Sequence, residues 1–448
     1  MPSKSKSTNL VVGLDIGTTK ICAIAVDANS KEQLHVVGVG TAKSEGLRKG
    51  VVVNIEKTVN SIKKAIEECE LMCGQQINSV YAGIAGHHIK GQNSRGMVTV
   101  HNRTVSEEDI RRVIDAAQVL IPNDREVLHI LPQEFIVDEQ DGVQNPLEMA
   151  AALLEVKVHI VTGSVTSAQN IVKCCNQAGL EVDDIVLEPL ASSQAVLSPD
   201  EQEVGVVLVD IGGGTTDITI YSEGSIVHTA VLALGGNHLT HDIAIGLSTP
   251  LAEAEEIKHE HGVAMVDLVG SEETIHVPSV GGRNNRSVQK QVLAEIIEAR
   301  FREIFEFIAQ EIEKSEYRSV MASGVVITGG TCIMPGADGL ASQVLNLPVR
   351  VGFPENVAGL QELIYSPKYA TSVGLVRYGI NSNQGKLNFS GDDTNMFHKV
   401  ARRMKEAQAQ SASLARRWES PSPMICKRHL HDLQEESLKS RRNAAALG

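Results

Sequence analysis

One short pattern occurs twice in this chain, about two hundred residues apart. Residues 10–14 predict a strand, Asp-Ile-Gly-Thr-Thr at residues 15–19 predicts a tight turn, and residues 21–26 predict a second strand. Residues 204–209 lead in the same way into Asp-Ile-Gly-Gly-Gly-Thr-Thr-Asp at residues 210–217 and on into another strand. The repetition indicates an internal duplication, which predicts a fold built from two related halves.

Both turns have the composition of a phosphate-binding loop. Glycine lets oxygen atoms approach the backbone N–H groups, and threonine hydroxyls add hydrogen-bond donors. The aspartates that begin the turns, Asp15 and Asp210, are hard oxygen ligands suited to hydrated Mg²⁺. A single turn of this kind is more often an ordinary hairpin. Two copies, with a third turn at Gly329 and Gly330 after the β-branched strand 325–328, favour a phosphate-binding cleft between the halves.

Other nucleotide-binding motifs do not match. The chain has no Gly-x4-Gly-Lys-Ser/Thr sequence, which argues against a P-loop protein. Gly38 and Gly40 are followed by Lys43 where a dinucleotide-binding motif requires glycine. No Gly-x-Ser-x-Gly sequence indicates a nucleophile elbow.

The segment between the two turns differs from its surroundings in composition and in its pattern of predicted elements. Residues 83 to about 161 contain polar loops, short strands and one helix at 106–120, where Ser106 and Asp109 form a capping pattern. This stretch is predicted to be a small module inserted into a larger domain. Further helices are predicted at 165–178, stopped by Gly179, and at 291–317, and a polar linker is predicted after Gly379.

Composition limits the class of protein. The 448 residues carry 41 Lys and Arg against 55 Asp and Glu, a net charge of −14. Residues 391–448 alone hold 11 basic and 7 acidic residues, a net charge of +4, so residues 1–390 carry a net charge of −18. This acidic body argues against a nucleic-acid partner, because such binding is driven by neutralising phosphates. Without a membrane-spanning run or a secretory signal, we expect a cytoplasmic protein. The seven cysteines include no Cys-x-x-Cys pair and are expected to fill the core.

The paired turns and the late Gly-Gly turn resemble the phosphate and adenosine motifs of the actin, heat-shock chaperone and sugar-kinase superfamily. Within it, residues 11–27, 37–70, 81–89 and 204–217 closely resemble the FtsA family of bacterial actin-like cell-division proteins. The resemblance covers about residues 9–380 and implies an α/β, actin-like ATPase fold with two lobes around a nucleotide cleft. The implied boundaries are 1–82, 164–198 and 366–388 for subdomain 1A, 83–163 for the inserted subdomain 1C, 199–227 and 306–365 for subdomain 2A, 228–305 for the lid subdomain 2B, and 389–448 for the linker, amphipathic helix and tail.

The resemblance also implies a site for ATP and Mg²⁺. Asp15 and Asp210 would organise the ion, and Glu188 would polarise an attacking water, with slow hydrolysis; the alternative for Glu188 is a solvated loop acid. Glu255 and Lys258 would contact the adenosine, or else form an exposed charge pair on a helix. The remaining implied nucleotide-binding residues are Gly17, Thr18, Thr19, Lys20, Gly212, Gly213, Gly214, Thr215, Thr216, Gly235, Gly236, Gly329 and Gly330.

Partners follow from the same resemblance. The lid would receive the C-terminal tail of the tubulin-like division protein FtsZ through Arg286 and Arg300, whose alternative is a pair of solvated surface arginines. The chain would also polymerise with itself, contact other division proteins through the inserted module, and lie as a peripheral protein on the cytoplasmic face of the inner membrane.

The membrane contact is expected from a basic amphipathic helix near residue 400. Its apolar face and basic rim match an interfacial helix, and they comprise Met396, Phe397, Lys399, Val400, Arg402, Arg403 and Met404. The sequence then departs from the family by continuing into a polar extension, which either adds a second apolar patch near Trp418 or is disordered. The alternative functions are a pilus-assembly actin homologue, a small-molecule kinase and, with the least support, a chaperone ATPase.

Overall fold

The computed structural model describes residues 10–28, 33–118, 122–280 and 285–383. The predicted linker, membrane-binding helix and polar tail lie outside the described residues. The strands are β1 (Leu10–Ile16), β2 (Lys20–Asp27), β3 (Leu34–Lys43), β4 (Leu47–Arg48), β5 (Val51–Val52), β6 (Ser79–Ile84), β7 (Lys90–Thr99), β8 (Arg125–Val137), β9 (Gln140–Val143), β10 (Leu153–Ser164), β11 (Glu181–Leu187), β12 (Val206–Ile211), β13 (Thr216–Ser222), β14 (Ser225–Leu232), β15 (Thr274–Val277), β16 (Arg286–Gln289), β17 (Val325–Thr328), β18 (Val349–Val351) and β19 (Val357–Gly359). The α-helices are α1 (Ile55–Cys73), α2 (Glu107–Ala116), α3 (Val165–Ala178), α4 (Glu188–Val196), α5 (Pro199–Val204), α6 (Gly236–Gly246), α7 (Leu251–His261), α8 (Lys290–Lys314), α9 (Ala337–Leu345), α10 (Gln361–Ile364) and α11 (Ala370–Asn383).

The first lobe is a sheet centred on the hairpin of β1 and β2. Its strand order is β11-β6-β1-β2-β3-β19, with β1 antiparallel to β2 and parallel to β6. Both central strands are buried along nearly their whole length, as expected for strands covered on two faces. Helix α11 crosses β1 closely because Gly13 has no side chain; a β-carbon there would lie 2.7 Å from the carbonyl oxygen of Ser372.

The second lobe repeats this topology. Its strand order is β14-β13-β12-β17-β18, with β12 antiparallel to β13 and parallel to β17. Its core includes Phe301 and Phe305 of α8, which are fully buried and stacked with ring centroids 5.7 Å apart. The central strands β12, β13 and β17 thus correspond to β1, β2 and β6, and the predicted pair of related lobes is confirmed.

The inserted module is a separate four-stranded antiparallel sheet. Its order is β7-β10-β8-β9, and α2 packs on β7 and β10 around its own apolar core. The predicted capping pattern is present, since Ser106 accepts from Asp109 N–H and the Asp109 carboxylate accepts from Ser106 N–H. The helix ends at Ala116, short of the predicted residue 120, and the Ala117 carbonyl accepts a hydrogen bond from Ser94 Oγ.

Two further predicted element bounds were wrong. The strand expected from residue 204 begins at Val206, because a capping box between Ser198 and Glu201 starts the short helix α5 and Gly205, with φ of 104°, ends it. The helix predicted at 291–317 ends at Lys314, followed by a left-handed residue, Glu316, with φ of 65°.

One segment joins a different lobe from the one expected. Residues 306–365 were assigned to the second lobe, but β19 pairs in parallel with β3 of the first sheet. The chain therefore returns to the first lobe between β18 and β19, because the free edge of β3 offers the backbone partners that β19 needs. Among the described residues, no helix combines the length and the apolar character needed to cross a bilayer.

Candidate functional site

The duplicated turns meet at a cleft of about 500 Å³ between the lobes. The first turn connects β1 to β2, and the second connects β12 to β13, so each turn lies at the end of a buried central strand. The sequence-predicted residues that line the cleft are Asp15, Gly17, Thr18, Thr19, Lys20, Glu188, Asp210, Gly212, Gly213, Gly214, Thr215, Gly236, Glu255, Lys258, Gly329 and Gly330.

The two turns approach each other so closely that side chains are excluded from one of them. A β-carbon placed on Gly213 would overlap Thr19 Oγ1, and one placed on Gly214 would lie 2.6 Å from Thr18 Oγ1. Glycine at these positions therefore leaves backbone N–H groups and threonine hydroxyls as the facing surfaces. Two of the predicted residues do not line the cleft: Thr216 is fully buried and donates to Leu234 O, and Gly235 packs behind the second turn against Gly212 O.

A small hairpin supports the first turn. Strands β4 and β5 are joined by Lys49 and Gly50, which have φ of 51° and 75°. The N–H of Gly50 donates to Thr18 Oγ1 at 3.0 Å, and Gly50 itself lines the cleft. The sequence placed this segment in the family resemblance but did not identify Gly50 as a site residue, because its contact with Thr18 joins residues 32 positions apart.

Asp15 and Asp210 are buried at the floor of the cleft. Ser372 donates to Asp15 at 3.3 Å, while Ser192 and Thr371 donate to Asp210 at 2.7 and 3.2 Å. Burial raises the pKa of Asp15 to about 6, against the opposing effect of the Lys20 ammonium, and burial also raises the pKa of Asp210. The hydroxyl donors hold both carboxylates in fixed orientations.

The donor set of the floor fits a polyphosphate with Mg²⁺. The glycine turns offer backbone N–H groups, and Lys20 adds an ammonium that donates to Lys368 O at 2.7 Å and lies 4.3 Å from the Tyr369 ring centroid. Within the described ranges, no three His, Cys, Asp or Glu side chains are arranged to hold a metal ion by themselves. Asp15 and Asp210 could therefore hold Mg²⁺ only together with water or phosphate oxygens, which is the coordination that Mg²⁺ prefers.

Two further carboxyl groups reach the cleft. Glu188 begins α4 and lines the cleft, so the alternative of a solvated loop acid is wrong. Burial, with the nearby charges of Asp15, Asp217 and Asp210, raises the pKa of Glu188 well above its usual value. Asp217 was missed, although it follows Thr-Thr of the second turn as Lys20 follows Thr-Thr of the first. Burial and Asp210 raise the pKa of Asp217 to about 8, and its Oδ1 is buried without a hydrogen-bond partner among the described residues.

The outer wall of the cleft carries the predicted adenosine contacts. Lys258 is only 9% exposed and donates to Glu255 at 2.7 Å and to Thr240 Oγ1 at 2.8 Å, so the alternative of an exposed charge pair is wrong. Although burial opposes it, the hydrogen bonds from Lys258 and Thr240 lower the pKa of Glu255. The sequence did not identify the apolar part of this wall, which comprises Ile333, Met334 and Pro335 after the third glycine turn.

The module also touches the chain beside Glu188. His129 of β8 is 8% exposed, and its Nε2 accepts from Leu187 N–H at 3.0 Å. Burial lowers the pKa of His129 to about 4, so the ring is neutral at pH 7 and can accept this hydrogen bond. Sequence patterns could not identify this contact, because it joins two segments from different parts of the fold.

Arg286 and Arg300 lie in the predicted lid, outside the cleft. Arg286 begins β16 and donates to Leu247 O. Arg300 of α8 pairs with both carboxylate oxygens of Asp242, at 2.5 and 3.1 Å, and with Glu303. The structure therefore brings neither arginine to the cleft, and Arg300 is engaged within the chain rather than freely solvated.

Solved structures with similar folds include a type IV pilus biogenesis complex and a protein bound to AMPPNP. The chain resembles a structure titled "PilM-PilN type IV pilus biogenesis complex" with a TM-score of 0.60 and 17% identity, covering 83% of this chain and 98% of that one. It also resembles MreB 5 of Spiroplasma citri bound to AMPPNP, with a TM-score of 0.52 and 15% identity, covering 86% and 98% of the two chains. These similarities show the actin-like ATPase fold.

Sequence comparisons are more specific. Residues 207–374 match the family model "Cell division protein FtsA", residues 86–162 match "SHS2 domain inserted in FTSA", and residues 147–265 match "Type IV pilus assembly protein PilM". The cell division protein FtsA of Pseudomonas aeruginosa is 50% identical over 386 residues, covering 86% of this chain and 93% of that protein. The FtsA of Escherichia coli K12 is 41% identical over 388 residues, covering 85% and 92%. The chain therefore belongs to the FtsA family of actin-like cell division proteins.

Proposed function

We propose that the cleft binds ATP with Mg²⁺. The observation that carries this proposal is the close opposition of the two glycine turns, Gly213 against Thr19, at the ends of paired central strands. Residues 17–20 and 212–215 would bind the phosphates from opposite sides, Asp15 and Asp210 would hold Mg²⁺, and Glu255 and Lys258 would contact the nucleoside. Bound Mg²⁺ would neutralise phosphate charge. Burial and the neighbouring carboxylates raise the pKa of Glu188, which disfavours the ionised form needed to polarise a water, so we expect hydrolysis to be slow.

The nucleotide site is tested by titrating the full chain with ATP and Mg²⁺ in a calorimeter. Replacing Gly213 by Asp would place a carboxylate against Thr19 and against the phosphates, so we expect the affinity for ATP to fall by at least about tenfold. The matched control is Gly270→Asp, an exposed glycine that does not line the cleft and whose new β-carbon would meet only the flexible Glu273 side chain, at 3.0 Å. Equal affinity of Gly213→Asp and the wild type would exclude the site.

We further propose that the chain polymerises and tethers the FtsZ ring to the cytoplasmic face of the inner membrane. Support comes from the identity of 40% or more to FtsA proteins of three bacteria, including Bacillus subtilis, and from the basic amphipathic pattern around Met396 and Met404. The inserted module would contact other division proteins.

The membrane tether is tested by flotation with anionic vesicles, in which a variant ending at residue 387 is expected to remain unbound. Equal flotation of both proteins would contradict the tether.

The lid is the proposed site for the acidic C-terminal tail of FtsZ. Arg286 would pair with its carboxylates, and Arg300 would do so by exchanging Asp242 for the peptide. Co-sedimentation with the FtsZ tail peptide is expected to weaken in Arg286→Glu and Arg300→Glu. Arg302→Glu is the matched control, because Arg302 lies on the same helix and pairs with Glu298. Equal losses in all three variants would contradict a specific site.

A pilus-assembly role is the second candidate, because residues 147–265 match the PilM family model and the PilM–PilN structure shares the fold. The same co-sedimentation separates the two functions, because only the division role predicts binding of the FtsZ peptide.

A further inference from the structure

The inserted module makes a second contact, with the opposite lobe. The module is inserted into the first lobe between β6 and α3, and its strands β7, β8 and β10 also pack against β14 of the second lobe. Strand β14 ends the second sheet in the described strand order, so the outer backbone groups of this strand need other partners. Side chains of the module supply them. We call this contact the clasp: Asn93, Gln133 and His159 on the module side, and residues 225–229 with Tyr317 on the lobe side.

The rim of the clasp is formed by hydrogen bonds between the module and the second lobe, most of them from a side chain to a backbone oxygen. Asn93 Nδ2 donates to Val227 O at 3.0 Å and to Tyr317 OH at 3.2 Å. Gln133 Nε2 donates to Ile226 O at 3.0 Å, and Ser225 Oγ returns a hydrogen bond to Gln133 O at 3.1 Å. These bonds run in both directions between the module and the second lobe, so a shift of either partner by a few ångströms would break them.

The centre of the clasp is a buried histidine. His159 is 1% exposed, its Nδ1 lies 2.6 Å from Asn93 Oδ1, and its Nε2 lies 2.9 Å from Thr229 Oγ1. Because burial lowers the pKa of His159 to about 4, the ring is neutral; it donates through Nδ1 to Asn93 and accepts through Nε2 from Thr229. Gly91 makes room for this pair, since a β-carbon there would overlap Thr229 Oγ1.

The clasp has a mechanical consequence. In the described part of the chain, the two lobes are joined covalently at residues 197–205 and 352–356. The clasp adds a non-covalent connection between the same two bodies, so rotation of one lobe against the other must strain or break it. We propose that the clasp restrains opening of the interlobe cleft and slows the release of a nucleotide bound there. The part concerning release rests on the proposed ATP site, whereas the restraint on opening does not.

The release test is a double-mutant cycle on the full chain. The variants are His159→Ala, Thr229→Val and the pair, and the readout is the dissociation rate of a fluorescent ATP analogue chased with unlabelled ATP. Each single variant is expected to release the analogue about fivefold faster, which corresponds to the loss of one neutral hydrogen bond, and the pair no faster than either. Ser94→Ala is the control, because Ser94 neighbours Asn93 but donates to Ala117 O inside the module. Unchanged rates, or equal acceleration by the control, would overturn the proposal.

A second measurement needs no nucleotide. Fluorophores attached through unnatural amino acids at the exposed positions Lys63 of α1 and Asp338 of α9 report the distance between the lobes. The distance distribution is expected to broaden in His159→Ala but not in Ser94→Ala. If the protein binds no ATP analogue yet shows this broadening, the proposed ATP site fails and the restraint stands. An unchanged distribution in His159→Ala would overturn the restraint itself.

Discussion

Single residues decide how closely the two lobes approach. At Gly213 the missing side chain lets the second turn lie against Thr19 of the first turn, where a methyl group would overlap the Thr19 hydroxyl. The orientations of the Asp15 and Asp210 carboxylates likewise depend on neighbouring residues. Hydroxyl groups of α11 donate to both carboxylates, and a hydroxyl of α4 also donates to Asp210. The chemistry of the cleft therefore depends on residues contributed by both halves of the duplication.

The approach of the turns can be tested without a nucleotide. Gly213→Ala is expected to lower the free energy of unfolding by about 1–3 kcal/mol, because its methyl group would overlap Thr19. Adding Thr19→Ala removes the atom that it meets, so the double variant is expected to lose less than the sum of the single losses. Urea unfolding of the four proteins measures this coupling. Strictly additive losses would mean that the turns do not touch.

His129 makes stability depend on pH. Its pKa is about 4 in the folded chain against an ordinary value of 6.5, so the unfolded chain binds a proton between these values that the folded chain does not. Stability is therefore retained above pH 6.5 and lost as the pH falls towards 4. Between pH 7 and pH 5 the wild type is expected to lose about 2 kcal/mol more than His129→Gln, as measured by urea unfolding. Parallel pH profiles would contradict this assignment.

At the residue scale, the sequence identified the groups that belong to repeated motifs. Sixteen of the eighteen predicted cofactor and catalytic residues line the cleft. Turn chemistry next to a buried strand singled out the aspartates, glycines and threonines of the turns, whereas Glu188, Glu255 and Lys258 came from the family resemblance. Gly50, Asp217 and His129 were missed for different reasons. Gly50 and His129 act through contacts between distant segments, whereas Asp217 stood in the motif but its burial could not be read from its neighbours.

At the level of elements, local signals predicted helices α2, α3 and α8 and misled at one strand. Helix α3 has the predicted bounds, because Gly179 takes the left-handed conformation that ends it, with φ of 94°. Residue 204 was predicted to begin a strand from its apolar neighbours, but the Ser198–Glu201 capping box makes it the end of α5. The pairing of β19 with β3 could not be predicted, since it joins two strands that are distant in the sequence and depends on the path of the chain between the lobes.

The cap of α2 gives a test at this scale. Ser106→Ala removes the side chain that accepts from Asp109 N–H, so the module is expected to lose about 1 kcal/mol of stability. Urea unfolding followed by a probe in the module measures the loss. The control is Ser271→Ala at an exposed turn, which is expected to stay within about 0.5 kcal/mol of the wild type. Equal stability of Ser106→Ala and the control would mean that the cap is not formed.

At the scale of the whole molecule, the duplication determines where a ligand can bind. Two sheets of the same topology present equivalent turns to each other, and this much could be predicted from the repeated pattern alone. The clasp between the module and β14 could not, because its polar residues have no motif and come from segments far apart in the sequence. The module is thus attached to one lobe by the chain and to the other by hydrogen bonds.

The most direct test of the proposed ATP site is a crystal structure of the full chain grown with AMPPNP and Mg²⁺. We expect the triphosphate to lie between residues 15–20 and 210–217, with Mg²⁺ near Asp15 and Asp210 and the base against Met334. An analogue bound elsewhere, or a cleft that stays empty at a saturating concentration, would contradict it.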